Sequence, residues 1–310
     1  MKILNYLFLV ALMLNSASAQ NVGAWYTTIK VINETGQPVV NATAQMQWYV
    51  NAPDGTLTFD QTEGLTDTNG IFTTSHKANG SITLGFFASK TGYYSTGTSH
   101  QLATKYDDDP AKWNHNVTLL LKKVGKPVAM YAKRLNTHAP DLDKPIGFDL
   151  ELGDWVAPYG RGVNSDINFT GHFDKHADGE SDFTLTVGFP KDGDGIKEFY
   201  VPEAELGGGL RSPNEAPKDG YKPQWVQTDN RKPGKPIETN QDPNRNYLFR
   251  VRTVKDHEGN IVSAHYGKIY GDFMQFTYYL NPTPNDRNIE FNPKQNLLQG
   301  LQSFEQVAQP

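Results

Sequence analysis

The sequence predicts an all-β protein, and three observations support this prediction. Apolar and polar residues alternate with a period of two in many short segments, whereas no window of about 12 residues has the spacing of an amphipathic helix. Asn-Gly and Asp-Gly pairs, which favour tight turns, separate these segments. Aromatic residues, which favour strands, make up 12% of the chain although its hydrophobic fraction is only 37%.

The composition excludes several classes of protein. The 310-residue chain has no cysteine, so it has no disulfide framework, thiolate metal site or cysteine nucleophile. A net charge of −5 gives no reason to expect a nucleic-acid partner. The length allows about two domains, each with its own core.

Residues 1–19 have the three parts of a secretory signal peptide. Lys2 precedes an apolar run from Ile3 to Leu14, and Ala17-Ser18-Ala19 provides a small-residue cleavage site. This run is too short to cross about 30 Å of hydrocarbon, and no later segment is long enough, so we expect no transmembrane segment after cleavage. An exported chain without cysteine is typical of a bacterial envelope or medium, which predicts a secreted or periplasmic protein.

The predicted strands follow one another along the mature chain. In each, alternate apolar side chains share one face of an extended segment and need a core opposite them. The sets are Ile29 and Val31; Val117, Leu119 and Leu121; Ile167, Phe169 and Phe173; Phe183, Leu185, Val187 and Phe189; and Tyr247, Phe249 and Val251. Short strands with frequent turns predict antiparallel β-sandwiches.

A domain boundary is predicted near Gly125-Lys126-Pro127, where a strand ends and glycine and proline restart the chain. We expect a seven-stranded antiparallel sandwich over residues 20–125 and a second antiparallel β domain over residues 126–310. Residues 202–243 contain seven prolines and five glycines and are predicted to form one long loop. The leucines after Asn292 allow a short terminal helix.

Residues 26–123 contain five elements in a recognisable order. They are the strand Ile29-Lys30-Val31, the turn 35–39, the Asp-x-x-Gly segment 66–72, Lys90-Thr91-Gly92-Tyr93 and the strand 117–121. In this order they resemble a carboxypeptidase regulatory-like domain. The resemblance implies a transthyretin-related β-sandwich with a scaffold or recognition role rather than peptidase activity. Residues 99–112, with Asp107-Asp108-Asp109, depart from the pattern and look like an insertion.

Two residues of the Asp-x-x-Gly segment have physical roles that the sequence predicts. Asp67 is expected to accept hydrogen bonds from backbone N–H groups further along the turn, and Gly70 to supply a positive φ.

In the second half, residues 278–288 resemble a segment of uncharacterised exported bacterial proteins, a similarity that implies no activity.

Three segments have residues that could hold a metal ion. One of them, Asp107-Asp108-Asp109, has three carboxylates in a predicted loop that could hold calcium, but a solvated surface is favoured. His172, Asp174 and His176 lie on the same side of a predicted strand, so they could bind zinc or another transition metal, or form a solvated strand end. Asp192-Gly193-Asp194-Gly195 resembles the start of a calcium loop. It lacks the later ligands that an EF-hand needs, so an ordinary hairpin loop is favoured.

The densest carboxylate cluster is Asp149, Glu151 and Asp154, beside Trp155 and Tyr159. Paired carboxylates next to aromatic rings suit a glycoside hydrolase, but carboxylates are also common near turns. The sequence has no Gly-x-Ser-x-Gly, His-Glu-x-x-His or phosphate-binding glycine motif.

Exposed Trp and Tyr rings can stack on sugars, and Trp155, Tyr159 and Trp225 are the predicted ligand-binding residues. Most other aromatic residues, including Trp48, are expected in the core. The favoured interpretation is an exported, non-enzymatic binding or structural module that recognises carbohydrate or an envelope protein. The alternative is a carbohydrate-active hydrolase with its site in residues 128–292.

Overall fold

The computed structural model describes residues 24–51, 56–77, 81–101, 114–136, 139–176, 178–202, 207–273 and 275–310. All the regular secondary structure in these ranges is β, which confirms the predicted class. They include no helix of the length and hydrophobicity that crossing a bilayer requires. The predicted signal peptide, Asp107-Asp108-Asp109 and most of the predicted insertion lie outside the described residues.

The described strands before residue 125 form two sheets. The three-stranded sheet has the order β4-β1-β7, and the four-stranded sheet has the order β3-β2-β5-β6. The strands are β1 (Ala24–Asn33), β2 (Thr43–Asn51), β3 (Leu57–Leu65), β4 (Ile71–Lys77), β5 (Ser81–Ser89), β6 (Thr96–Gln101) and β7 (Asn114–Leu121).

Inward side chains of both sheets form one hydrophobic cluster. Ile29 and Val31 of β1 are fully buried, and they belong to the same cluster as Met46, Trp48 and Phe86 of the other sheet. The prediction that Trp48 belongs to the core is therefore confirmed.

The turn before β4 has the predicted geometry. The Asp67 carboxylate accepts hydrogen bonds from the backbone N–H groups of Asn69 (2.9 Å) and Ile71 (2.8 Å). Gly70 has a φ of 73°. A Cβ at this glycine would lie 2.5 Å from the carbonyl oxygen of Val31, so both the conformation and the space require glycine. Phe72 then packs against the core of the first half.

The described strands after residue 125 form two six-stranded sheets. Their orders are β10-β9-β11-β12-β14-β15 and β13-β16-β17-β18-β8-β19. The strands are β8 (Val128–Leu135), β9 (Ile146–Asp149), β10 (Asp154–Trp155), β11 (Ile167–Lys175), β12 (Ser181–Gly188), β13 (Gly195–Tyr200), β14 (Gln224–Arg231), β15 (Glu238–Thr239), β16 (Arg245–Lys255), β17 (Ile261–Asp272), β18 (Gln275–Asn281) and β19 (Phe291–Asn296).

Both of these sheets contribute to one large core that is rich in aromatic residues. Phe148 contacts Tyr278 edge-on with ring centroids 5.8 Å apart, and Phe169 stacks on Phe276 at 6.1 Å. The predicted core positions Ile167, Phe169, Leu185 and Val187 belong to this cluster. Phe173 does not, because β11 extends beyond the packed region and leaves this side chain 55% exposed.

Two features of strand arrangement differ from the sequence prediction. First, β1 pairs with β7 in parallel, and β8 pairs with β19 in parallel. The chain reaches β7 from β6, which belongs to the other sheet, so no hairpin imposes an antiparallel pairing. Second, the residues after Asn292 form β19 and turns, and no helix is present over the described residues 292–310.

The prediction of one loop over residues 202–243 is wrong in its middle. Strand β14 pairs along its whole length with β12. The strand is hard to recognise in the sequence because prolines flank it and because a polar residue, Gln227, is fully buried within it.

The predicted boundary near residue 125 stays a prediction. The core cluster of the first half contains only residues 29–121, and the other clusters contain only residues from 128 onward. Between them, the buried Glu290 carboxylate accepts hydrogen bonds from the Tyr94 hydroxyl (2.6 Å) and from the backbone N–H groups of Gly125 (2.8 Å) and Lys126 (2.7 Å).

Candidate functional site

The predicted carboxylate cluster surrounds an arginine from a distant strand. Arg252 of β16 donates to Asp166 from Nε (2.8 Å) and to Glu151 from Nη1 (2.6 Å). Its Nη2 atom lies 3.3 Å from the Asp149 carboxylate. Asp149 and Asp166 are almost completely buried. Burial alone would lower the pKa of Arg252, but the hydrogen bonds to Asp166 and Glu151 outweigh it and raise that pKa.

Asp149 also organises the loop that follows it. Its carboxylate accepts hydrogen bonds from the backbone N–H groups of Glu151, Leu152, Val163 and Asn164. Burial acts to raise the pKa of Asp149, but these backbone donors together lower it. These four backbone N–H groups and Arg252 together hold the Asp149 carboxylate ionised, which suits a structural role better than proton transfer.

The third member of the cluster, Asp154, has a similar local role. It accepts hydrogen bonds from the backbone N–H groups of Trp155 (2.9 Å) and Arg161 (3.0 Å). The structure brings Asp149 and Glu151 together on Arg252. Asp154 lies opposite Asp149 at the start of β10 and contacts Arg161 instead.

The segment that resembles a calcium loop accepts hydrogen bonds from the backbone of β16. Asp194 accepts hydrogen bonds from the N–H groups of Arg252 (3.0 Å) and Thr253 (2.8 Å). Arg252 has a φ of 56°, and the pairing of β16 with β17 shifts register between Val251 and Val254. Asp194 therefore stabilises a bulge that directs the Arg252 side chain toward the buried carboxylates.

None of the three predicted ligand-binding aromatics presents an open ring, because Trp155 and Trp225 are buried and Tyr159 is half-buried. Trp155 is buried and contacts Phe148 and Phe169 edge-on, with ring centroids 5.1 and 5.5 Å apart. Tyr159 is half-buried and donates its hydroxyl to the Asp141 carboxylate at 2.8 Å. Both side chains stabilise the fold around β10.

The third, Trp225, lies in a cleft between β13 and β14, which we call the Trp225 cleft. Its volume is about 550 Å³, and it is lined by Ile196, Lys197, Glu198, Gly220, Lys222, Gln224, Trp225, Val226, Asn240 and Arg245. The indole N–H donates to the Glu198 carboxylate at 2.7 Å. Arg245 lies over the indole ring, 5.7 Å from its centroid.

The predicted metal ligands form separate pairs. Nε2 of His172 lies 3.0 Å from the Asp174 carboxylate, and Nε2 of His176 lies 3.0 Å from Asp182 on β12. The Asp182 carboxylate raises the pKa of His176. Within the described ranges, no group of three His, Asp or Glu residues is placed to hold a metal ion. The zinc and calcium predictions therefore have no geometric support and stay predictions.

A further exposed surface was not recognised in the sequence. Tyr49 of β2 lies opposite Phe59 of β3, with ring centroids 5.0 Å apart, and both are on the outer face of the four-stranded sheet. Phe87 of β5 lies on the same face. All three rings are exposed, at 43%, 51% and 40%. We call this surface the aromatic face.

Amide side chains lie between these rings. Gln47 donates to Gln45 (3.0 Å), and the Gln45 amide lies 3.4 Å from both Gln61 and Glu63. Tyr49 pairs with Thr83, which is four residues before Phe87 on β5, so the two aromatic positions are about 14 Å apart along the strands. The surface is therefore a polar strip with an aromatic ring toward each end.

A groove of about 870 Å³ runs along one part of the aromatic face. Phe87, Gln45, Glu63 and residues 95–99 line it, together with Gly207. A Cβ added at Gly97 would lie 2.5 Å from the Phe87 ring, and one at Gly85 would lie 2.9 Å from it. The two glycines thus let the Phe87 ring lie flat on the sheet.

Part of this surface can be predicted from the sequence. Gln45, Gln47 and Tyr49 alternate with the buried Ala44, Met46 and Trp48, so their outward direction can be predicted from β2 alone. Which residues of β3 and β5 lie beside them depends on strand order and register, which one sequence does not determine.

No protein-family model matches the chain, and no curated protein matches it. The resemblance to a carboxypeptidase regulatory-like domain therefore stays a hypothesis.

Several solved structures are similar at low identity. A 3-chlorocatechol 1,2-dioxygenase from Rhodococcus opacus 1CP is 16% identical over 34% of this chain and 62% of its own, with a TM-score of 0.28. The chain thus spans less than two thirds of the dioxygenase's length. A mutant of the shaft pilin SpaA from Lactobacillus rhamnosus GG is 10% identical over 87% of this chain and 95% of its own, with a TM-score of 0.25. At such TM-scores neither similarity carries an argument about function.

Proposed function

We propose that the chain is an exported, non-enzymatic module that binds carbohydrate through the aromatic face. The observation that supports this most directly is the combination of exposed Tyr49, Phe59 and Phe87 rings with the amides between them. Aromatic rings cover the apolar C–H faces of sugars, and amides exchange hydrogen bonds with hydroxyl groups. The separation of about 14 Å between the aromatic positions suits an extended chain of several sugar rings. Export is inferred from residues 1–19.

The hydrolase alternative has less support. Glycoside hydrolysis uses two carboxyl groups that flank the bond to be broken. Among the residues that the structure describes, the groove on the aromatic face has one carboxylate in its lining, Glu63, and the Trp225 cleft also has one, Glu198. Asp149 and Glu151 are both engaged by Arg252.

Binding of the purified mature chain to a panel of insoluble polysaccharides tests the proposal. For the polysaccharide that binds, we expect Tyr49→Ala and Phe87→Ala each to weaken binding about tenfold, which corresponds to about 1.4 kcal/mol. Tyr26→Ala is the matched control, because Tyr26 is 55% exposed on β1 of the other sheet. Equal losses in all three variants would contradict the proposal, as would release of reducing sugar by the wild-type protein.

A further inference from the structure

The Trp225 cleft has a lining whose charge is opposite to that of the whole protein. The chain has a net charge of −5, whereas the cleft contains Lys197, Lys222 and Arg245 against one acid, Glu198. A positive cleft on a negative protein attracts anions locally and selects against cations.

Glu198 has internal partners for its charge. Its carboxylate accepts hydrogen bonds from the Trp225 indole (2.7 Å) and the Tyr200 hydroxyl (3.4 Å), and Nε of Arg245 lies 3.9 Å away. Arg245 also donates to Tyr200 and lies over the Tyr200 ring. Glu198 and Arg245 therefore compensate each other within the wall of the cleft.

Because Glu198 and Arg245 compensate each other, the positive charge that a ligand would meet in the cleft comes from Lys197 and Lys222. Lys197 donates to a neutral group, the backbone carbonyl of Asp219 at 3.2 Å, and Lys222 is exposed in the lining. The half-buried Val226 adds apolar surface to the same lining, and Gln224 adds an exposed amide. The lining thus combines positive charge, apolar surface and an amide.

We propose that the Trp225 cleft binds a small sugar acid, a molecule with one carboxylate and several hydroxyl groups. Lys197 and Lys222 would neutralise the carboxylate, and Gln224 would bind hydroxyl groups. A volume of about 550 Å³ lies within the range of small-molecule sites. This site lies on other strands than the aromatic face and does not depend on it.

Tryptophan fluorescence of the mature chain, titrated with galacturonic acid and with its neutral counterpart galactose, tests this site. We expect saturable binding of galacturonic acid in the millimolar range or tighter, and no binding of galactose there. The double variant Lys197→Gln, Lys222→Gln should weaken the binding about tenfold. Lys235→Gln, which changes an exposed lysine in a turn outside the cleft, should leave it unchanged.

Three results would overturn the proposal: equal binding of galactose, inorganic phosphate that binds more tightly than galacturonic acid, or no saturable binding of galacturonic acid at all. Tyr49→Ala should not affect this titration, so failure here is distinguishable from failure of the aromatic face.

Discussion

Arg252 shows how a single residue can make a carboxylate cluster structural. Its guanidinium contacts three acidic side chains from the β9–β11 region, two of them almost completely buried. Buried charges are tolerated when they are paired and hydrogen-bonded, and they become costly when one partner is removed. Density of acidic residues in a sequence is therefore weak evidence for catalysis until the opposing base is located.

Replacing Arg252 with leucine should strongly destabilise the protein. The change leaves Asp149 and Asp166 without their cation, at an expected cost of about 3–5 kcal/mol in the free energy of unfolding. The matched control is Arg161→Leu, because that side chain is 90% exposed and lies 3.5 Å from Asp154. Its cost should be below about 0.5 kcal/mol. Urea unfolding measures both, and similar costs would contradict the role assigned to Arg252.

His265, which lies beside this network, predicts a pH dependence. Burial, and then the Arg252 charge, lowers the pKa of His265 below its ordinary value of 6.5. As the pH falls below 6.5, the unfolded chain takes up a proton that the folded protein resists, so stability present at neutral pH is lost in this window. We expect the free energy of unfolding to fall less between pH 7 and pH 5 in His265→Gln than in the wild type. An unchanged slope in the variant would contradict this assignment.

At the scale of elements, the same turn occurs in both halves of the chain. Asp67 and Asp256 each accept hydrogen bonds from two backbone N–H groups, two and four residues further on. Gly70 and Gly259 each have a positive φ at the fourth position. The surroundings differ, because a Cβ at Gly70 would clash with the Val31 carbonyl oxygen, whereas one at Gly259 would have no atom within 4 Å.

Alanine substitutions at Gly70 and Gly259 separate two costs in the free energy of unfolding: that of the backbone conformation and that of the steric contact made by an added Cβ. Gly259→Ala should cost only the strain of a positive φ, about 1–2 kcal/mol. Gly70→Ala should cost more than that, because the backbone of β1 must also move. Urea unfolding of the two variants measures the difference. A cost for Gly70→Ala equal to or below that of Gly259→Ala would show that the turn moves away from β1 freely.

Strands with regular alternation could be predicted from the sequence, and irregular ones could not. β7, β12 and the first part of β16 alternate clearly, and their inward residues are buried as expected. β14 cannot be recognised from alternation, because Gln227 occupies a buried position and prolines flank the strand. The Arg252 bulge cannot be predicted from local sequence, because it depends on Asp194, which is 58 residues away along the chain.

At the scale of the whole molecule, Glu290 joins the two halves near the predicted boundary. It contacts the Tyr94 hydroxyl from the first half and the Gly125 and Lys126 backbone from the connection. Burial, and then the hydrogen bond to Glu290, raises the pKa of Tyr94, so the hydroxyl stays protonated and acts as the donor.

Glu290→Ala should loosen the connection without unfolding either half. Three donors lose their acceptor, so trypsin should cleave after Lys122 or Lys123 faster than in the wild type. The cleavage should leave a resistant fragment that begins near residue 124. Glu215→Ala is the control, because that side chain is 67% exposed and pairs with Arg287. Absence of any resistant fragment ending or beginning near the boundary would contradict the two-domain organisation.

The aromatic face depends on the order and register of β3, β2 and β5, so it emerges only when the whole sheet is assembled. Hydroxyl-radical footprinting, read by mass spectrometry with and without a bound polysaccharide, tests this surface most directly. We predict that the polysaccharide slows oxidation of Tyr49, Phe59 and Phe87 and leaves Tyr26 on the other sheet unchanged. A polysaccharide that binds while all four oxidation rates stay the same would contradict the assignment of this face as the binding surface.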